Sequence, residues 1–221
     1  MSDAATRAVI FDLGGVVLES PLPAITTFEA DTGLPTGFIA QLVIDGADDG
    51  PWARLERGEL SPTHFATAFS DQGEAAGHRV DAPELLRRIA STAVPRDAMV
   101  AAVVQLRAAG LRVGALTNIW PMPGRDADLN QLKRGFDQVV ESFRVGMRKP
   151  EPRIYELTCR VLGVTPANAI FLDDLGGNLK TARALGMATI KVGDPGTALA
   201  ELERLTGITL HTHRGETSSL R

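Results

Sequence analysis

The chain has 221 residues, 44% of them hydrophobic and 23% charged, with a formal net charge of −4. That is ordinary globular composition at a length suited to one large domain, or to a core domain carrying a smaller insert. The acidic balance argues against a general nucleic-acid binder, the single cysteine (Cys159) rules out an intrachain disulfide, and no apolar run approaches the roughly 18 residues of a membrane span.

The first predicted element is a strand, Ala8-Val9-Ile10-Phe11, which runs into Asp12 and then Leu13-Gly14-Gly15-Val16. The short polar stretch Met1 to Arg7 ahead of it does not read as a signal peptide, so a cytoplasmic location is expected. From Glu19 to Val94 no strand-like run occurs, and the pattern is one of several short helices with Gly and Pro breaks. Ser61-Pro62 reads as an N-cap followed by a first-turn proline. Phe65 and Phe69 share one helical face, and Leu85, Leu86 and Ile89 mark another.

After this insert, Asp97 to Ala109 places Met99, Val103 and Leu106 on one helical stripe closed by Gly110. Val113-Gly114-Ala115-Leu116 is a second strand, ending at Thr117-Asn118. A helix opens at Pro152 and ends at Gly163, with Ile154, Leu157, Val161 and Leu162 as its expected buried face. Ala169-Ile170-Phe171-Leu172 is a strand meeting Asp173-Asp174. Leu179, Ala182 and Leu185 mark a helix ended by Gly186, and Ala188 to Val192 reads as a further strand. His211 to Arg221 is polar and is expected to be a loose tail.

Uninterrupted apolar runs of four residues indicate strands buried on both faces. Their alternation with helices implies a parallel sheet with right-handed crossovers, an α/β class. In such sheets ligands bind at the carboxyl ends of the strands. Asp12, Thr117 and the Asp173-Asp174 pair all fall there.

Each of these residues has a plain structural reading. Asp12 can be a turn residue bonding its own loop, or a carboxylate facing a bound anion while the backbone N–H groups of Gly14 and Gly15 point inward. Asp173-Asp174 can simply decorate a helix N-terminus. Adjacent carboxylates repel, however, unless a cation or a base compensates them, and Mg²⁺ takes a few carboxylate oxygens while keeping several waters. Lys149, in Met147-Arg148-Lys149-Pro150, is either a solvated loop lysine or a partner for phosphate.

The order strand-Asp, strand-Thr, Lys-Pro, strand-Asp-Asp, with a helical insert after the first strand, resembles the haloacid dehalogenase-like hydrolase superfamily. The resemblance spans nearly the whole chain. Val145 to Tyr155, Phe171-Leu172-Asp173-Asp174 and Gly177-Asn178-Leu179 look most like the N-terminal phosphatase domain of soluble epoxide hydrolases and related domains fused to acyl-CoA dehydrogenase-like enzymes. Trp52 to Ser61 is similar to the helical cap of that group.

The resemblance implies a Rossmann-like parallel sheet core, residues 1–18 and 95–221, and a C1-type helical cap, residues 19–94. It implies a Mg²⁺-dependent phosphomonoester phosphatase acting on a small phosphorylated metabolite. Asp12 would be the nucleophile, with Thr117 and Lys149 holding phosphoryl oxygens. Asp12, Asp174 and the Gly14 carbonyl would be metal ligands, with Asp173 assisting from the outer shell. Asn118 and Asn178 would be supporting polar residues. Caps of this group can dimerise, so a homodimer is admissible.

One departure matters. Phosphatases of the superfamily usually carry a second Asp two residues after the nucleophile, and here that position is Gly14. Loss of a general acid–base costs about 10²–10⁴ in rate, most for poor leaving groups, so a preference for good leaving groups is expected. Glu19 or Asp173 acting through water is an alternative proton source. The rival functions are a 2-haloacid dehalogenase, which would need no metal, and a phosphate-binding or scaffolding protein of weak turnover. The whole reading requires the carboxylates of residues 12 and 174 to lie within about 8 Å of each other, close enough for one small cation to bridge.

Among lesser candidates, Trp120 either lines the pocket or packs beneath the cap, and Trp52 is expected in the cap core. Arg54 and Arg57 are expected in surface ion pairs with Glu56 and Glu59. Cys159 reads as a buried or half-buried hydrophobe, His64 and His78 as exposed, and His211-Thr212-His213 as incidental.

Overall fold

The structure, a computed structural model, describes residues 6–122 and 126–211. Its centre is a five-stranded parallel sheet: β1 (Ala8–Phe11), β2 (Arg112–Thr117), β3 (Gln138–Glu141), β4 (Ala169–Asp173) and β5 (Ala188–Lys191), in the order β3-β2-β1-β4-β5. The α/β class expected from the apolar runs is therefore observed. β1 lies between β2 and β4, with Phe11 level with Ala115 and Leu172. This register brings the ends of the three central strands to one edge.

All four residues of β1 are fully buried, because helices cover both faces and strand side chains alternate between them. Val9 and Phe11 join one apolar layer with Met99 and Leu106 of α6 (Asp97–Ala108) and Leu199 and Leu202 of α11 (Pro195–Thr206). Ala8 and Ile10 join the other, with Ile154 and Tyr155 of α9 (Pro152–Leu162) and Leu179 of α10 (Gly176–Ala184).

Several sequence expectations are corrected here. The buried stripe of α9 is Ile154, Tyr155, Thr158, Cys159 and Leu162, whereas Val161 is exposed. Tyr155 sets that face, its ring edge-on to Phe171 and its hydroxyl donating to the Asn178 carbonyl. The edge strand β3 has no sequence counterpart, since Gln138-Val139-Val140-Glu141 carries only two apolar residues. Helices α7 (Asp126–Lys133), α8 (Ser142–Val145) and α11 likewise have no counterpart among the elements expected from sequence.

Between β1 and α6, five helices pack around a third apolar cluster: α1 (Leu22–Thr32), α2 (Phe38–Gly46), α3 (Pro51–Glu56), α4 (Pro62–Ala75) and α5 (Ala82–Ser91). Phe65 and Phe69, stacked at 5.0 Å, form its centre with Phe28, Leu55 and Leu85. Ser61 caps α4 by accepting from the His64 N–H, as its sequence signature suggests. The two connections to this insert run side by side. Leu18 bridges Pro95, and the Glu19 N–H donates to the Val94 carbonyl at 2.9 Å.

Contrary to expectation, His78 is half-buried, 4.9 Å from the Phe38 ring, while His64 is exposed and partners the Ser61 hydroxyl. His211 is tied to Gln105 through its main chain; Thr212, His213 and the rest of the expected tail lie outside the described residues.

Candidate active site

The site is built where β1, β2 and β4 end. The Asp12 N–H donates to the Leu172 carbonyl at 2.9 Å, continuing the ladder by one residue. The chain then turns sharply through Leu13–Val17, which returns one carboxylate oxygen of Asp12 to the Leu13 N–H at 2.7 Å. The other oxygen meets Lys149 Nζ at 2.7 Å, and the same ammonium reaches Asp173 at 2.7 Å. Lys149 is only 1% exposed, so it is no solvated loop lysine. Asp173 is held further by the Leu175 N–H at 2.8 Å and by Asn178 Nδ2, 3.0 Å from each of its oxygens.

Asp174 closes the group. Asp12, Asp173 and Asp174 each present a carboxylate oxygen, all within 4.8 Å of one another, well inside the separation the sequence reading required. Gly15 makes this possible. Its φ of +76° is left-handed, and a Cβ there would stand 2.3 Å from Asp174 Oδ2. Gly14, at φ −64° and ψ 127°, has nothing within 4 Å of a built Cβ. Arg96 holds the turn from outside, donating to the Gly15 carbonyl at 2.9 Å and pairing with Glu19 at 3.2 Å.

The electrostatics follow from burial. Three carboxylates face one ammonium, leaving two negative charges when all are ionised. Burial pushes the Asp12 carboxyl up to about 7, with Lys149 opposing the rise and Asp173 adding to it. Asp174 is raised by burial and then by Asp173. Burial pulls Lys149 down, but Asp12 and Asp173 together outweigh it, so its ammonium is retained. An oxygen-only cluster with uncompensated negative charge is the donor set of a hard divalent cation. Asp174, and Asp12 with one protein donor on each oxygen, fit that role, while the two oxygens of Asp173 are shared among Lys149, the Leu175 N–H and Asn178 Nδ2.

Thr117 is buried at the end of β2, level with Glu141. Asn118 has its amide committed to protein: Oδ1 accepts from the Lys149 N–H at 2.8 Å, and Nδ2 donates to the Lys149 carbonyl at 2.9 Å and to Glu56 at 3.0 Å. Trp120 is buried in the insert's aromatic cluster, 5.7 Å from Trp52, and Trp52 is half-buried against Phe65 and Phe69.

The ion-pair expectation holds for Glu59 and fails for Glu56. Arg54 and Arg57 both pair with Glu59, while Glu56 turns inward. It is buried and accepts from Trp52 Nε1, Asn118 Nδ2 and Arg148 Nε. Sequence reasoning missed Glu56 and Arg96. For Glu56 a signal existed, since it lies four residues after Trp52 and so shares the helical face that turns inward.

A family model described as haloacid dehalogenase-like hydrolase matches residues 6–186. The chain belongs to that family. Relatives of this haloacid dehalogenase-like hydrolase include acyl-CoA dehydrogenase family member 10 of Mus musculus, 41% identical over 208 residues, covering 93% of this chain and 20% of the relative. Bifunctional epoxide hydrolase 2 of Sus scrofa is 37% identical over 223 residues, covering 93% of this chain and 40% of the relative. The chain thus spans less than half the length of either. A sesquiterpene phosphatase of Aspergillus oryzae is 27% identical over 208 residues, with 91% of this chain and 97% of the relative aligned. Among solved structures, a family enzyme from Bacteroides thetaiotaomicron in complex with magnesium and inorganic phosphate superposes with a TM-score of 0.60 at 22% identity, covering 86% of this chain and 95% of that one. It has the same fold. The chain is a hydrolase of this family with phosphatase-named relatives, and among the described residues no helix is long and apolar enough to cross a membrane.

Proposed function

We propose that this protein is a Mg²⁺-dependent phosphomonoester phosphatase that acts on a small phosphorylated metabolite through an aspartyl-phosphate on Asp12. The observation that carries this reading is the shared environment of Asp12: one carboxylate oxygen sits 2.7 Å from Lys149 Nζ, and the side chain lies within 4.8 Å of an Asp174 oxygen. Asp12, Asp174 and the Gly14 carbonyl would hold the ion. When bound, it supplies positive charge beside a phosphate dianion that three clustered carboxylates would otherwise repel.

The protein's own residues then do the following. Lys149 opposes protonation of the Asp12 carboxylate and orients it, and with the Thr117 hydroxyl it binds the phosphoryl oxygens. An Asp12 oxygen attacks phosphorus as the bond to the ester oxygen breaks, and the electron pair leaves with that oxygen. Water then attacks phosphorus of the acyl phosphate, releasing inorganic phosphate and restoring the Asp12 carboxylate. The helical insert, residues 19–94, acts as the cap that excludes water over the strand ends.

Gly14 offers no proton to the departing oxygen. Of the two candidate substitutes, Asp173 is fully buried and bound by Lys149 and Asn178, and Glu19 is paired with Arg96. The preferred substrates are therefore phosphates of acidic leaving groups. The test is a set of aryl phosphates of graded leaving-group pKa, assayed with Mg²⁺ and with EDTA beside an Asp12→Asn control. A steep dependence on leaving-group pKa, abolished by EDTA and by the substitution, is expected. Turnover surviving in Asp12→Asn removes the nucleophile, and EDTA-insensitive halide release from 2-haloacids would transfer the assignment to dehalogenation.

A further inference from the structure

The buried carboxylate of Glu56 plays no part in the mechanism above, yet it belongs to the insert and ends one residue from the site. It sits at the end of α3 with a side chain 9% exposed. One oxygen accepts from Trp52 Nε1 at 3.1 Å, within the insert. The other accepts from two core residues, Arg148 Nε at 2.6 Å and Asn118 Nδ2 at 3.0 Å. Asn118 in turn grips both the N–H and the carbonyl of Lys149, at 2.8 and 2.9 Å. Lys149 Nζ then reaches Asp12 and Asp173.

The chain of contacts has a direction. A primary amide presents two nearly isosteric ends, and only one orientation satisfies Lys149. Turned over, Asn118 would set an oxygen against the Lys149 carbonyl and an NH₂ against its N–H. The Glu56 carboxylate, which only accepts when ionised, takes the second Nδ2 hydrogen and so holds the productive orientation. It also neutralises Arg148, the residue immediately before Lys149. Next to this contact the backbone of the insert abuts the core, since a Cβ on Gly58 would lie within 2.4 Å of the Phe143 carbonyl.

We propose that Glu56 is a positioning residue: seated on the core, it fixes Asn118, which fixes the Lys149 main chain and hence the ammonium between Asp12 and Asp173. The consequence for activity rests on the phosphatase reading, whereas the consequence for Lys149 does not. The insert therefore contributes to the catalytic arrangement through this carboxylate as well as by covering it.

The test combines exchange and kinetics. Amide hydrogen exchange at Lys149, followed by NMR on the substrate-free protein, should accelerate about tenfold or more in Glu56→Ala, because the Asn118 acceptor is no longer held. Turnover of p-nitrophenyl phosphate should fall about 10–100-fold, the usual effect of removing an outer partner of a reacting group. Glu56→Gln, which keeps an acceptor and the side-chain shape, should be intermediate in both and serves if Glu56→Ala does not fold. On an Asn118→Ala background the Glu56 substitution should cost less than about threefold more, since both act through one link. Unchanged Lys149 exchange in a folded Glu56 variant overturns the proposal, as do losses that multiply in the double variant. If the native protein fails to hydrolyse p-nitrophenyl phosphate, the phosphatase reading falls and the exchange result alone decides the role of Glu56.

Discussion

Replacing Gly15 with Ala should damage the site far more than the same change one residue earlier. At Gly15 the backbone is left-handed, φ +76°, which costs a residue with a Cβ about 1–2 kcal/mol. That Cβ would also stand 2.3 Å from Asp174 Oδ2 and 2.6 Å from its Cγ. Ordinary carbon contacts lie near 3.5 Å, so the carboxylate must retreat by about 1 Å. A displacement of that size among reacting groups costs about 10²-fold in rate. For a chain of this length 1 kcal/mol corresponds to roughly 2–4 °C in Tm, so Gly15→Ala should lower Tm by about 2–8 °C. At Gly14 the backbone is extended and the space around a built Cβ is open, so Gly14→Ala should hold or raise stability by about 0.4–1 kcal/mol. Thermal unfolding and p-nitrophenyl phosphate turnover, measured with a Mg²⁺ titration, read all of these effects. Equal turnover and equal Mg²⁺ dependence in the two alanine variants would refute the claim that Gly15 makes room for Asp174.

The same open space allows a gain of function. Gly14→Asp should raise turnover of alkyl phosphates by about 10²-fold and flatten the dependence on leaving-group pKa; no change would mean that another group already donates the proton. Saturating Mg²⁺, at about 100 times its Kd, should stabilise the native protein by about 2.7 kcal/mol, or roughly 5–11 °C. That shift should be largely lost in Asp174→Asn, and an undiminished shift would place the ion elsewhere. Burial pushes the Cys159 thiol up to about 11. Because the thiolate is the reactive form, native protein at pH 8 should resist iodoacetamide and react only once unfolded, whereas rapid native labelling would contradict the buried position of α9.

The central strands were legible because burial on both faces demands unbroken apolar runs, and Ala8–Phe11 and Ala169–Leu172 are too short for buried helices. The edge strand β3 was not, since half its residues face polar surroundings and Glu141 is buried only by pairing with Lys133 and Arg144. Within the site, Asp12, Thr117 and Asp173-Asp174 could be placed at strand ends by pattern, and the resemblance decided between the two readings that its loop left open for Lys149. In the stretch Arg54-Leu55-Glu56-Arg57-Gly58-Glu59 the charges read as surface ion pairs. Only its place four residues after Trp52 separates Glu56, which faces Asn118 and Arg148, from Glu59, which faces solvent and two arginines.

Local sequence determined the strands, the helices around them and the residues at their carboxyl ends, because hydrophobic periodicity and turn chemistry act over a few neighbours. Only the tertiary structure decided which charges meet. The order β2-β1-β4 sets Asp12 beside Asp173 and Asp174, some 160 residues later in the chain. The buried Lys149 and the inward Glu56 both meet Asn118, from which they lie 31 and 62 residues away in the chain. Electrostatic contacts depend on distance through space, and that distance is written in no single segment.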